Sequence, residues 1–197
     1  MGYTQFTKGK VQYILDVFKP KSVIDLGAQN DFSQPHLPAP YISEWYRNKN
    51  IAYLCIDLNG ENNAEQIDLS KPSFTVASGC DLLVDAGTSE HVGDNGKFSW
   101  EAIYNCWATK NKLLNIGGIM YSENPKTGNW PGHGFNYYTQ DFYKELVKIS
   151  GYELLDIGEH PACNNKTDGW NIFATMKKVS DKFPTLKKFY KLPILEK

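Results

Sequence analysis

The stretch DLLVDAGTSEHV, residues 81–92, reads as a buried strand that ends in an acid and a glycine and is followed by a Glu-His pair. Leu82, Leu83 and Val84 form an unbroken apolar run, the pattern of a strand covered on both faces of a parallel sheet. Ligands of open parallel sheets bind beyond the carboxyl ends of the strands. Asp85, Ala86 and Gly87 therefore stand where a ligand would lie.

The same punctuation recurs on both sides of this strand. KSVIDLG at 21–27 ends in Asp25 and Gly27, IAYLCIDLNG at 51–60 carries Asp57, and the brief EQIDL at 65–69 carries Asp68. NIGGIMYSENP at 115–125 places Glu123 at a strand end, and YELLDIG (152–158) and NIFATMKK (171–178) supply two further strands. Helical spacing separates them. Val11, Ile14, Leu15 and Phe18 mark a helix over 7–18 that Pro20 ends, and 41–50 predicts a short helix with Tyr41, Trp45 and Ile42 turned inward. Residues 98–114 form a third helix, its end marked by the glycines of NIGG, and 139–150 a fourth, closed by Gly151. Strands alternating with helices predict an α/β sandwich built on a mostly parallel sheet. No helix-length pattern separates the last two strands, so they are expected to pair antiparallel at the sheet edge.

With 197 residues, 41% of them hydrophobic, the chain suits one domain, taken as 1–178, followed by a basic arm at 179–197 packed on the surface. A formal net charge of -1 leaves no basic field for a phosphate backbone, which disfavours a nucleic-acid partner. Cys55, Cys80, Cys106 and Cys163 lack C-x-x-C spacing and read as reduced thiols, Cys55 as a small buried hydrophobe. No apolar run reaches membrane-spanning length and the N-terminus has no signal-peptide core, so a soluble, cytoplasmic protein without a membrane partner is expected.

An acid at the end of the second strand, Asp57, can accept both hydroxyls of a ribose through charge-assisted bonds worth roughly 1.5–3 kcal/mol each. A dinucleotide would need glycines after Gly27 to let the pyrophosphate approach a helix N-terminus. Gln29 and Asp31 stand there instead, and Asp31 would repel phosphate. A nucleoside without phosphate fits this loop better.

In this order and spacing the motifs resemble those of the class I S-adenosylmethionine-dependent methyltransferases, over about residues 8–178. VIDLGAQ is similar to the family's first motif, CIDL to its ribose-binding segment, QIDL to its adenine-reading segment, and DLLVDAGTSEHV to its fourth strand with a Glu-His pair nine and ten residues on. GGIMYSENP resembles the family's fifth strand, and GFNYYTQDFYKELVKISGYELLDI resembles its tyrosine-threonine helix and the next strand, which starts at a Gly-aromatic pair. The first motif departs from the family by lacking its second and third glycines. The resemblance implies a three-layer Rossmann-like sandwich with a seven-stranded sheet, the last strand antiparallel, and S-adenosyl-L-methionine as cofactor. It implies cofactor contacts from Asp25, Gly27, Gln29, Asp57, Leu58, Asp68, Leu69, Asp85, Ala86 and Gly87.

The implied activity is methyl transfer to oxygen or nitrogen of a small-molecule or carbohydrate-like acceptor. The motifs of amino-methylating nucleic-acid enzymes and of cytosine methylation are missing. Glu90 and His91 could supply a general base, or a metal site of the kind some related O-methyltransferases use. The preferred reading is a helix-start pair packed below the site, with no metal. His133 and His36 are candidates to touch the acceptor. Trp130, Phe135, Tyr137 and Tyr138 could wall it or join the core. SQPHLPAP at 33–40, stiffened by three prolines, is a candidate lid or wall. Positioning alone can supply roughly 7–11 kcal/mol of a barrier, so a methyl transfer needs no strong base. Two other readings stand beside this one: a methyltransferase-fold binding module without catalysis, and an NAD(P)-dependent oxidoreductase.

Overall fold

The computed structural model describes residues 2–33, 40–72, 79–161 and 169–194. His36, Cys163 and most of the proline-rich stretch fall outside them. A two-residue strand, β1 (Gly2–Tyr3), precedes the first helix, α1 (Gln5–Phe18). The helix starts at Thr4, whose side chain accepts from the Thr7 amide, and stops at Lys19 in a left-handed conformation just before Pro20. Strand β2 (Ser22–Leu26) comes next, then the short β3 (Asn30–Asp31), α2 (Ile42–Arg47) and β4 (Ala52–Asp57). In α2 the inward residues are Ile42 and Tyr46, four apart, while Tyr41 is exposed and serves as the N-cap. This corrects the expected Tyr41–Trp45 face, because the helix begins one residue later than the pattern suggested.

Strand β5 is only Glu65–Gln66, so Asp68 lies in the loop beyond it rather than on a strand. Strand β6 (Cys80–Ala86), helix α3 (Trp100–Leu113), strand β7 (Leu114–Pro125) and helix α4 (Gln140–Ile149) come next. Helix α3 ends at Leu113 and β7 starts at once, so the glycines of NIGG lie inside the strand. They sit where its pairing with β6 shifts register between Cys80 and Leu82. Strands β8 (Tyr152–Pro161) and β9 (Trp170–Lys178) complete a seven-stranded sheet in the order β5-β4-β2-β6-β7-β9-β8. Strand β9 runs antiparallel to both neighbours. It is inserted between β7 and β8, so β8 and not the last strand forms the edge.

Period-two alternation divides the strand side chains between two cores. Val23, Leu82, Val84 and Tyr121 face α1 and α2 through Val11, Ile14, Leu15, Ile42 and Tyr46. Ile24, Leu83 and Met120 face α3 and α4 through Ile103, Trp107, Phe142 and Leu146. Three layers result. The C-terminal arm joins the second core. Helix α5 (Leu186–Phe189) buries Phe189 completely, and Leu192 and Ile194 pack beside it. Among the described residues no helix is long and apolar enough to cross a membrane.

The pairing of the two-residue strands β1 and β3 has no signature in the sequence. Strand β1 runs parallel to β3, drawing the N-terminal residues over the loop after β2.

Candidate functional site

The carboxyl end of β4 and the turn after β6 border a cleft of about 540 Å³ lined by Asp57, Leu58, Asp68, Leu69, Thr88 and His91. A smaller cavity of about 200 Å³ lies further across the sheet, against Ala86, Gly87, Glu90, Glu123, His133 and Asn171. Gly27 and Gly87, with φ of +86° and +78°, make the sharp exits from β2 and β6 that only glycine takes without strain. The Gly27 amide donates to the Ile56 carbonyl and the Gly87 amide to the Glu123 carbonyl, fixing both turns.

Asp57 ends β4 half-buried. Its Oδ2 accepts from the Ala28 amide at 2.7 Å and its Oδ1 from the Asn59 amide at 3.2 Å. A carboxylate has about four lone-pair sites, so each oxygen keeps one for a ligand hydroxyl. Asp68 is exposed at the rim and accepts from the Ser70 amide, while Leu69 is buried and floors the cleft. Leu58 is 63% exposed, an apolar side chain presented at the cleft wall.

Gln29 fills the place of the missing second glycine. Fully buried, its amide nitrogen donates to the Leu26 carbonyl at 2.7 Å and to Thr88 Oγ1 at 3.0 Å. Thr88 Oγ1 in turn donates to the same carbonyl at 2.6 Å. These contacts bridge the crevice between the ends of β2 and β6. Asp31 is held by Lys8 at 2.5 Å and is no longer a bare negative charge at the loop.

Two of the expected contact acids are turned inward. Asp25 is fully buried, with Oδ1 accepting from the Tyr3 hydroxyl at 2.6 Å. Burial pushes its carboxyl up to about 7, against the opposing pull of that hydrogen bond. Asp85 is fully buried and accepts from Lys110 at 2.5 Å, from the Thr88 and Ser89 amides, and from Ser89, Ser122 and Asn124 side chains. Burial alone would raise its pKa; the Lys110 charge and these donors outweigh it and hold it below the ordinary range. Asp85 therefore organises the turn that carries Thr88 and Glu90, while Ala86 and Gly87 border the smaller cavity.

Glu90 and His91 occupy a 3-10 turn, Ser89–His91, rather than the start of a longer helix. Glu90 is 1% exposed, and burial together with the Asp85 charge raises its pKa well above the carboxylate range. Burial lowers His91 to about 4 and shifts His133 downward too, with the neighbouring His133 adding to the effect on His91. His133 arrives on the loop after β7, which is braced by Asn136, whose side-chain amide donates to the carbonyls of Ser89, Glu90 and Val92.

The aromatic residues of NWPGHGFNYY divide. Tyr138 is fully buried and bonds Trp107, and Tyr137 caps its own loop through the Trp130 carbonyl, so both are structural. Trp130 borders the smaller cavity and Phe135 the larger cleft. Sequence reasoning missed Thr88, Asn171 and the N-terminal Gly2 and Thr4, which also border these spaces. Nothing local distinguishes them: Thr88 follows Gly87 in the turn after β6, Thr4 caps α1, and Gly2 and Asn171 arrive by sheet pairing. Glu123 was visible as a strand-end acid, and the structure surrounds it with Thr7, Tyr121, His160 and Asn171 donors.

No family model matches the sequence and no curated protein matches it either. Solved structures do match the fold. The 1,6-didemethyltoxoflavin-N1-methyltransferase of Burkholderia thailandensis, solved with 1,6-didemethyltoxoflavin and S-adenosylhomocysteine, superposes with a TM-score of 0.62 at 13% identity, over 88% of this chain and 77% of that one. The chain has the class I methyltransferase fold. The N-methyltransferase NodS from Bradyrhizobium japonicum, bound to S-adenosylhomocysteine, matches this methyltransferase fold with a TM-score of 0.57 at 11% identity, over 90% of this chain and 89% of that one. An S-adenosylmethionine-dependent methyltransferase from Clostridium acetobutylicum gives 0.57 at 12%, over 88% and 90% of the two chains.

Proposed function

We propose that the protein is an S-adenosylmethionine-dependent methyltransferase acting on oxygen or nitrogen of a small-molecule or carbohydrate-like acceptor. The observation that carries this reading is Asp57, placed at the end of β4 beside a 540 Å³ cleft with lone pairs to spare. In this reading Asp57 takes the ribose hydroxyls, while Asp68, Leu58 and Leu69 border the adenine. The methionine end crosses Gly27 and Gln29 toward Ala86 and Gly87, and the acceptor enters the smaller cavity near His133, Glu90 and Trp130. Asp25 and Asp85 act beneath the surface by fixing the loops that make those contacts. The chemistry is an in-line displacement at the methyl carbon, in which the sulfonium leaves as a neutral thioether. Alignment supplies most of the rate.

Calorimetry with S-adenosylmethionine and S-adenosylhomocysteine tests the reading directly. Both should bind the wild type, and Asp57→Ala should weaken each by at least about tenfold, since charge-assisted bonds to ribose are lost. Unchanged affinity in the variant would displace the ribose from Asp57, and no binding of either ligand to the folded protein would remove the enzyme reading. NAD(P) should give no heat; binding of it would favour an oxidoreductase.

A binding module without catalysis is the second reading. The Gln29 bridge to Leu26 and Thr88 favours it, because that side chain stands in the crevice the methionine end must cross.

A further inference from the structure

Glu90, His91 and His133 meet at the boundary between the two cavities. His91 borders the larger cleft, and Glu90 and His133 border the smaller one. Glu90 Oε1 lies 3.5 Å from His91 Nε2 and 3.8 Å from His133 Nε2, and the three candidate ligand atoms all fall within 4.8 Å of one another. A four-coordinate zinc ion with bonds of about 2.0–2.1 Å sets its ligand atoms about 3.3 Å apart, so small side-chain rotations close this triangle on a metal.

One feature points to a ligand here, and a second holds the three side chains in place. The first is Glu90 Oε2, a buried carboxylate oxygen with no hydrogen-bond partner among the described residues. Asp85 and Glu123 nearby are saturated by donors, so the unmet lone pairs belong to Glu90 and not to its acidic neighbours. An unsatisfied buried acid is costly, and a cation removes the cost. The second is the bracing of the loop that delivers His133. The Phe135 amide donates to the Glu90 carbonyl at 2.8 Å, and a Cβ on Gly134 would stand 2.8 Å from that carbonyl oxygen and 3.0 Å from Glu90 Cγ. Only glycine lets this loop approach so closely. The hydroxyl of Tyr137 accepts from the His133 and Gly134 amides, which fixes the turn beneath the imidazole.

We propose that Glu90, His91 and His133 form a binding site for one divalent transition cation of the zinc class, with a free coordination position for an acceptor oxygen or nitrogen. Two imidazoles and one carboxylate match the donor set of open zinc sites, in which a fourth position is left to water or substrate. The site itself is independent of the methyltransferase reading; only the cation's role in holding the acceptor rests on it.

The test is metal binding by the full chain, first stripped with chelator and then dialysed against Zn²⁺. Metal analysis should find one equivalent per chain, and Co²⁺ substituted for it should show the visible d–d bands of a four- or five-coordinate ion. His91→Ala and His133→Ala, both at partly exposed positions, should each weaken Zn²⁺ by at least about 100-fold while circular dichroism stays native. Glu90→Gln, which preserves shape, should weaken it as well. No retained metal, an octahedral Co²⁺ spectrum, or binding indifferent to both histidine variants would overturn the site. S-adenosylmethionine calorimetry on the same samples separates this failure from failure of the methyltransferase reading, because cofactor binding does not require the cation.

Discussion

At the scale of the residue, Asp25 shows how a motif acid can serve a site without touching it. Its carboxyl is fully buried and bonded by Tyr3, a residue that reaches it only because β1 lies beside β3. The group titrates at about 7 in the folded chain, above the ordinary carboxylate value near 3.9 in the unfolded chain. The folded state therefore keeps a proton that the unfolded state releases. Its contribution to stability is complete below about pH 4 and declines as pH rises toward about 7. Urea titrations of wild type and Asp25→Asn from pH 4 to 8 should show the wild type losing stability relative to the variant across that window. Parallel pH profiles would mean that Asp25 is not the group responsible.

At the scale of the element, the loop after β2 is what the proposed path of the methionine end has to cross. Gly27 keeps the turn, but Gln29 bonds across to Leu26 and Thr88 where the family motif has a glycine. A methionine-bearing ligand that crosses this point has to displace the side chain, giving up two hydrogen bonds worth about 1 kcal/mol each net. Gln29→Gly should therefore tighten S-adenosylmethionine binding by about tenfold in calorimetry, with part of the gain lost to added loop entropy. Weaker binding in the variant would show that Gln29 is itself a contact for the ligand. The same loop changes the physical reason for disfavouring dinucleotide phosphates. In sequence the reasons were crowding by the side chains that replace the glycines, Gln29 among them, and the charge of Asp31; in the fold Lys8 neutralises the acid, and the steric bridge of Gln29 remains.

At the scale of the molecule, the C-terminal arm is part of the core rather than a surface strap. Phe189 is fully buried, meeting Tyr104, Phe142 and Phe183 at ring-centroid distances of 5.5, 6.3 and 6.2 Å. Phe189→Ala should cost about 3–5 kcal/mol, a large share of a typical domain's roughly 5–15. Its urea midpoint should fall accordingly. A loss under about 1 kcal/mol would return the arm to the surface.

Much of this was written in the sequence because strands and helices carry their own periods. The apolar runs at 82–84 and 23–24, the helical spacings of α1, α3 and α4, and the acids at strand ends specified a doubly covered parallel sheet and the edge along which ligands bind. Asp57 could be singled out because its position depends on one strand end alone. The limits appear wherever a property depends on two distant segments. Tyr3 on Asp25, Gln29 on Thr88, His133 on Glu90 and Phe189 on Tyr104 are each produced by folding. No local period records which side chain will fill a neighbour's space or satisfy its lone pair. Local sequence thus determined the sheet, the helices and the strand ends that border the cleft. Tertiary structure alone decided which acids border that cleft and which are consumed inside, since burial and hydrogen bonding are properties of the packed chain.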